Sequence, residues 1–210
     1  MKLCINDFKC KISDFFPEDS SRENLLKVQH MVARRAIIKD DFKDIRFIAA
    51  ADQTFLDNRI ISGILNVDFG SLEITERAFS IQPISFPYIS TFLSFREGPA
   101  IVNAFGKLKT RPDLLLIDGA GINHPHGAGL ATHIGVALDV PTIGITKRIL
   151  CGEGEQASNV GEASPLVYNY KTVGWLLKSS QKCKPIVVAP GHRVSLESSL
   201  FDRGGLSSRS

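Results

Sequence analysis

Three extended runs follow one another between Ile45 and Ile84 with almost no chain between them, at residues 45–55, 59–69 and 72–84. Asp57-Asn58 separates the first two runs and Gly70-Ser71 the second pair. Connections this short reverse the chain, because parallel neighbours need a crossover of a dozen residues or more. An antiparallel three-stranded meander is therefore expected. Its partners must come from the rest of a 210-residue chain that is 43% hydrophobic, enough for one large domain or two small ones. No internal repeat divides it, so a single domain over residues 1–210 is expected, with its motif-bearing core at about 45–200.

After the meander, helical and extended patterns alternate. Residues 99–108 read as helix, 113–118 as strand, 128–138 as helix and 142–146 as strand, which is the pattern of parallel βαβ units. Upstream, Ser20-Ser-Arg-Glu23 has the form of a capping box, and Leu25, Val28, Met31, Val32 and Ala36 recur at helical spacing. Downstream, residues 151–164 are rich in Gly, Glu and Ser and read as a loop. Residues 167–177 and 185–189 read as strands, and 194–200 as a short helix. The fold class is thus α/β with a mixed sheet.

A net charge of +3 and a pI near 8.7 permit a polyanionic partner without requiring one. Seven Lys and Arg residues from Lys171 onward meet only Glu197 and Asp202, so that end is locally basic. Cys4, Cys10, Cys151 and Cys183 show neither metal-ligand spacing nor a dense disulfide framework, and read as free thiols in a reducing compartment. The N-terminus loses its apolar character too soon for a signal peptide, and no run reaches membrane-spanning length. A soluble, cytoplasmic, monomeric protein without membrane contact is expected.

Two apolar runs end in carboxylates: Phe47-Ile-Ala-Ala-Ala-Asp52 and Leu114-Leu-Leu-Ile-Asp118. Glu97 stands between them in Phe95-Arg-Glu97-Gly-Pro99. Carboxylates gathered at strand ends repel one another and resist desolvation, so a fold that collects them does so around a divalent cation. A lone Asp can also end a strand by bonding the following turn, and Glu97 beside a helix start at Gly98-Pro99 can simply complement the helix dipole. His124-Pro-His126 with His133 matches no standard zinc spacing, and His126 and His133 stay unassigned.

Four longer words carry a resemblance: Pro87-Tyr-Ile-Ser-Thr-Phe-Leu-Ser-Phe-Arg-Glu97, Asp118-Gly-Ala-Gly-Ile-Asn-His-Pro125, Gly135-Val-Ala-Leu-Asp-Val-Pro-Thr-Ile-Gly-Ile-Thr-Lys147 and Pro190-Gly-His-Arg-Val-Ser195. Together, in this order, they resemble the endonuclease V family of deoxyinosine-directed repair nucleases. The resemblance implies a ribonuclease H-like mixed sheet in which the meander continues into parallel strands, with helices on both faces. It also implies hydrolysis of the second phosphodiester bond 3′ to deoxyinosine, leaving 3′-hydroxyl and 5′-phosphate ends. Asp52, Glu97 and Asp118 would hold Mg2+, with Mn2+ able to substitute, and Lys147 and His192 would assist at phosphate or water. Tyr88 would be the wedge that replaces a flipped base in the stack, with Gly119, Gly121, Gly127 and His124 around the base pocket. On the residues alone, His192 also reads as a helix cap, Lys147 as a solvated lysine and Tyr88 as an ordinary core or surface ring.

The same catalytic chemistry permits inosine-containing RNA as substrate in place of double- or single-stranded DNA, and a non-catalytic nucleic-acid-binding module of this fold is a third reading. The chain departs from the family pattern at Ser90-Thr91, where Pro-Gly is usual, and at Ala120, where histidine is common. Residues 201–210 stand where a longer closing helix is usual and are expected to form a disordered tail.

Overall fold

In the computed structural model, which describes residues 11–42 and 44–200, the meander forms as its turns dictate. Strands β1 (Phe47–Leu56), β2 (Arg59–Asp68) and β3 (Ile74–Pro83) pair antiparallel. In the first turn Asp57 adopts φ +51°, a conformation that Asp tolerates better than most residues. In the second, the Asp68 carboxylate accepts the N–H groups of Gly70 and Ser71.

Helix α1 (Arg22–Arg35) precedes the meander; its N-cap is Ser21, whose hydroxyl accepts from Asn24 N–H, one residue later than the capping-box pattern suggests. After the meander come α2 (Leu93–Phe105), β4 (Leu114–Asp118), α3 (Leu130–Leu138) and β5 (Thr142–Thr146). The strands β1, β4 and β5 are parallel neighbours, which confirms the βαβ reading. Then β6 (Ala163–Tyr168), β7 (Lys171–Leu177) and β8 (Ile186–His192) complete one eight-stranded sheet in the order β3-β2-β1-β4-β5-β8-β7-β6. This is the ribonuclease H-like mixed sheet.

Three expectations change. The single strand over 167–177 is a hairpin, because Asn169 and Tyr170 turn at φ +49° and +62°. Helix α2 begins at Leu93, so Pro99 lies inside it. Residues 194–197 are not helical; a 3-10 turn covers only Ser198–Leu200.

The two faces of the sheet are covered differently. Ala49, Ala51, Leu115 and Ile117 point to one face and pack with Ile101 and Ala104 of α2 and Leu130, Ala131 and Ile134 of α3. Helix α1 and the ring cluster Phe86, Phe92 and Phe95 lie outside that layer. The alternate residues Ile48, Leu114, Ile143 and Val188 face the other way, under Val194 and Leu200. Among the described residues all three α-helices therefore lie on one face, and the helices expected on the second face are represented only by the 3-10 turn. The Cys4 and Cys10 thiols and the tail 201–210 fall outside the described residues; Cys151 and Cys183 are free. No helix among the described residues is long and apolar enough to cross a membrane.

Candidate active site

The parallel register of β1 and β4 ends at Ala51 opposite Ile117, so Asp52, midway along β1, and Asp118, the last residue of β4, follow side by side where that pairing stops. Strands stand about 4.8 Å apart, which sets the spacing of the two backbones. Both side chains alternate away from the helix-covered face and are exposed. Asp52 turns one oxygen back to its own chain, accepting Gln53 N–H at 2.8 Å.

Glu97 arrives from a different direction. It is the fifth residue of α2 and is 8% exposed. Burial first, then Asp118 and Asp52, push its carboxyl up to about 7, and the adjacent Arg96 guanidinium only partly offsets them. Arg96 is itself held by donating to the Phe86 carbonyl at 2.6 Å and by lying over the Phe55 ring. Asp118 is also raised, by burial and then by Asp52, against the lowering effect of Lys147. Lys147 follows β5 two residues beyond Ile145, the partner of Asp118. The three carboxylates and Lys147 thus form one electrostatic group.

This donor set is all oxygen and carries more negative charge than its neighbours compensate, which suits a hard divalent cation. As the side chains stand, no three His, Cys, Asp or Glu groups among the described residues close into an ion cage. Holding a cation here would require the three carboxylates to draw closer together than they stand; Asp52 keeps its second oxygen for that, since Gln53 N–H occupies only Oδ1.

Asp118 and Lys147 also line a cavity of about 370 Å3, within the range of small-ligand sites. Tyr88 and Ser90 form one rim, Gly119 and Ala120 part of the floor, and His124 a wall. Tyr88 is 71% exposed, on a loop anchored at one end by buried Phe86 and at the other by buried Phe92. Gly119 approaches Leu130 so closely that a Cβ would lie 2.8 Å from it.

The structure separates other expected residues from this group. His192 is the last residue of β8 and pairs with Thr142 at the opening end of β5, three residues back from the partner of Asp118. That is roughly 10 Å along the strand from the carboxylates. Its Nδ1 accepts Ile37 N–H and its Nε2 faces Asp139, so it ties the segment after α1 to the sheet. The strand expected to stop at Ala189 runs on to His192, with Gly191 close against Thr142 and Ala131.

Gly121 and Gly127 do not line the cavity. A Cβ on Gly121 would meet the Pro190 carbonyl at 2.2 Å, so this glycine serves the contact with β8. Gly127 supplies a turn at φ +64° near α1. His124 is buried with both ring nitrogens engaged by the protein, Nε2 at the Thr91 carbonyl and Nδ1 at His126 N–H. Burial holds it neutral, with its pKa down to about 4. It shapes the wall and has no free nitrogen to offer a ligand.

Sequence reasoning missed Ser94, Arg148, Ile149 and Leu150 in the cavity wall. Arg148 follows Lys147 in the sequence, and that adjacency was the available signal.

A meander continued by parallel strands, with one carboxylate in mid-β1, one at the end of β4 and a third entering from the following helix, defines a nuclease of the ribonuclease H-like class. The family model of Endonuclease V matches residues 30–201. The Endonuclease V of Dictyoglomus turgidum is 40% identical over 179 residues, covering 85% of this chain and 78% of that protein. The crystal structure of Endonuclease V from Bacillus subtilis superposes with a TM-score of 0.83 at 30% identity, over 90% of this chain and 83% of that one. A crystal structure of Ciona intestinalis Endonuclease V in complex with a 24mer DNA containing an inosine followed by a ribo-adenosine shares the fold, with a TM-score of 0.71 at 21% identity, over 82% and 84% of the two chains. The chain belongs to the Endonuclease V family.

Proposed function

We propose that this nuclease recognises deoxyinosine and hydrolyses the second phosphodiester bond on its 3′ side, leaving 3′-hydroxyl and 5′-phosphate ends. The observation that carries the reading is that Asp118 and Lys147 belong both to the carboxylate group and to the wall of the cavity bordered by Tyr88. Chemistry and recognition would then share one opening. The inosine-containing DNA bound by the Ciona intestinalis protein supports this choice of ligand.

Asp52, Glu97 and Asp118 would hold Mg2+ or Mn2+, which when bound supplies an activated water and compensates charge at the phosphorus and the leaving oxygen. Lys147 stands beside Asp118 and would neutralise the scissile phosphate. Tyr88, exposed on a loop fixed at both ends, would fill the gap left in the base stack, while the cavity receives the flipped base. Backbone groups around Gly119 and Ala120 would read its edge.

A labelled duplex with one deoxyinosine, incubated with Mg2+, tests the reading. Wild type is expected to nick one strand at the stated bond, and Asp52→Ala or Asp118→Ala to lose about a hundredfold or more in rate. Equal nicking by wild type and both variants would sink it. A matched RNA oligonucleotide in the same assay reads the sugar preference.

A further inference from the structure

We propose that Gln29 is a positioning residue that fixes the Tyr88 loop against the cavity; this rests on the reading of Tyr88 as a wedge. Helix α1 buries Leu25, Val28, Gln29 and Val32. The three apolar members pack with Phe86 and Phe92, the two anchors of the Tyr88 loop. Gln29, fully buried, donates from Nε2 to the Thr91 carbonyl at 2.5 Å.

The same carbonyl is reached by His124 Nε2 at 3.0 Å. Because His124 Nδ1 accepts the His126 N–H at 3.1 Å, it carries no proton, and the ring proton must sit on Nε2. Thr91 O therefore accepts two bonds, one from α1 and one from the loop after β4. Thr91 is the centre of the 3-10 turn Ser90–Phe92, whose first residue lines the cavity.

The other end of the Gln29 amide has no such purpose. Its Oε1 is buried without a hydrogen-bond partner among the described residues, a destabilising arrangement that Leu or Met at this site would avoid. An amide here destabilises the α1 face unless its donor does something, and among the described residues its side chain bonds the Thr91 carbonyl alone. A 71% exposed ring has little packing of its own, so its placement depends on how firmly its loop is held. Gln29 lies one residue before the segment matched by the family model, which starts at 30.

The test compares wild type with Gln29→Met, which keeps the volume and removes the donor. On an inosine oligonucleotide, KM is expected to rise roughly tenfold while kcat stays within about twofold, since ground-state positioning is lost and the reacting groups are not. Amide hydrogen exchange over residues 86–93 is expected to quicken, with the sheet unchanged. KM and loop exchange both within about twofold of wild type would overturn the proposal, as would a fall confined to kcat.

Should Gln29→Met not fold, the wild-type protein decides. The Gln29 side-chain amide protons, followed by NMR, are expected to be protected from exchange, and exchange at the rate of a solvated amide overturns the clamp. Failure of wild type to cut inosine substrates would remove the wedge reading, whereas the exchange data would still report on the clamp.

Discussion

Buried in α2 and faced by Asp118 and Asp52, the Glu97 carboxyl ionises only near pH 7, against 4.5 for an unperturbed glutamate. A carboxyl with a raised folded-state pKa opposes folding above its unfolded value, increasingly until the folded value is passed. In chelator at pH 8, Glu97→Gln is therefore expected to stabilise the protein by up to about 3 kcal/mol while reducing cleavage at least a hundredfold. Thermal melts in EDTA beside the nicking assay check this, and a destabilised variant would contradict it. Asp52 and Asp118 were legible in the sequence because each closes an apolar run and the two runs became parallel neighbours. Glu97 was legible only through its family word, since Gly98-Pro99 imitates a helix start. Pro99 is instead accepted within α2, and Gly98 leaves room for the Phe16 ring. Gln29 gave no signal at all: one glutamine on an amphipathic face looks like any solvated residue until its burial is known.

Among the elements, the meander and the alternating βαβ section were readable because turn length and period decide them locally. The β6–β7 hairpin was not, since only Asn169-Tyr170 separates its two β-type runs and Tyr170 is not a turn-forming residue. Tyr170 holds φ +62° with its side chain fully exposed, where glycine would carry no Cβ penalty. Replacing it with glycine is expected to stabilise by about 1 kcal/mol. That corresponds to a rise in Tm of about 2–4 °C for a chain of this size. Cleavage should be unaltered, because the hairpin lies on the edge of the sheet away from β1 and β4. An unchanged or lower melting temperature would show that Tyr170 makes compensating contacts. The length of β8 was not legible for a related reason: whether Pro190-Gly-His continues as strand depends on the close approach of Gly191 to Thr142 and Ala131, residues far away in sequence.

For the molecule as a whole, the pH dependence of stability sets buried imidazoles against the buried carboxyl. Burial drives His124 and His133 down to about 4 and lowers His192 as well, despite its bond to Asp139. Each imidazole is neutral in the folded protein and charges in the unfolded chain below about 6.5, so its contribution is full above that pH and lost as pH falls towards 4. Glu97 acts in the opposite direction, because between about 7 and 4.5 the folded state holds the extra proton. Near pH 5.5, His124 and His133 each lose close to a proton on folding and His192 adds in the same direction, against one proton held by Glu97. The unfolded state then binds the greater number of protons, and stability should fall on acidification. In Glu97→Gln the opposing proton is gone, so the slope should steepen by up to about 1.4 kcal/mol per pH unit even though the variant is more stable at pH 8. Urea unfolding in EDTA at half-unit steps from pH 5 to 8 measures both slopes. Parallel curves for wild type and variant would mean that Glu97 does not titrate in this range, and with that the close electrostatic grouping of the three carboxylates would have to be abandoned.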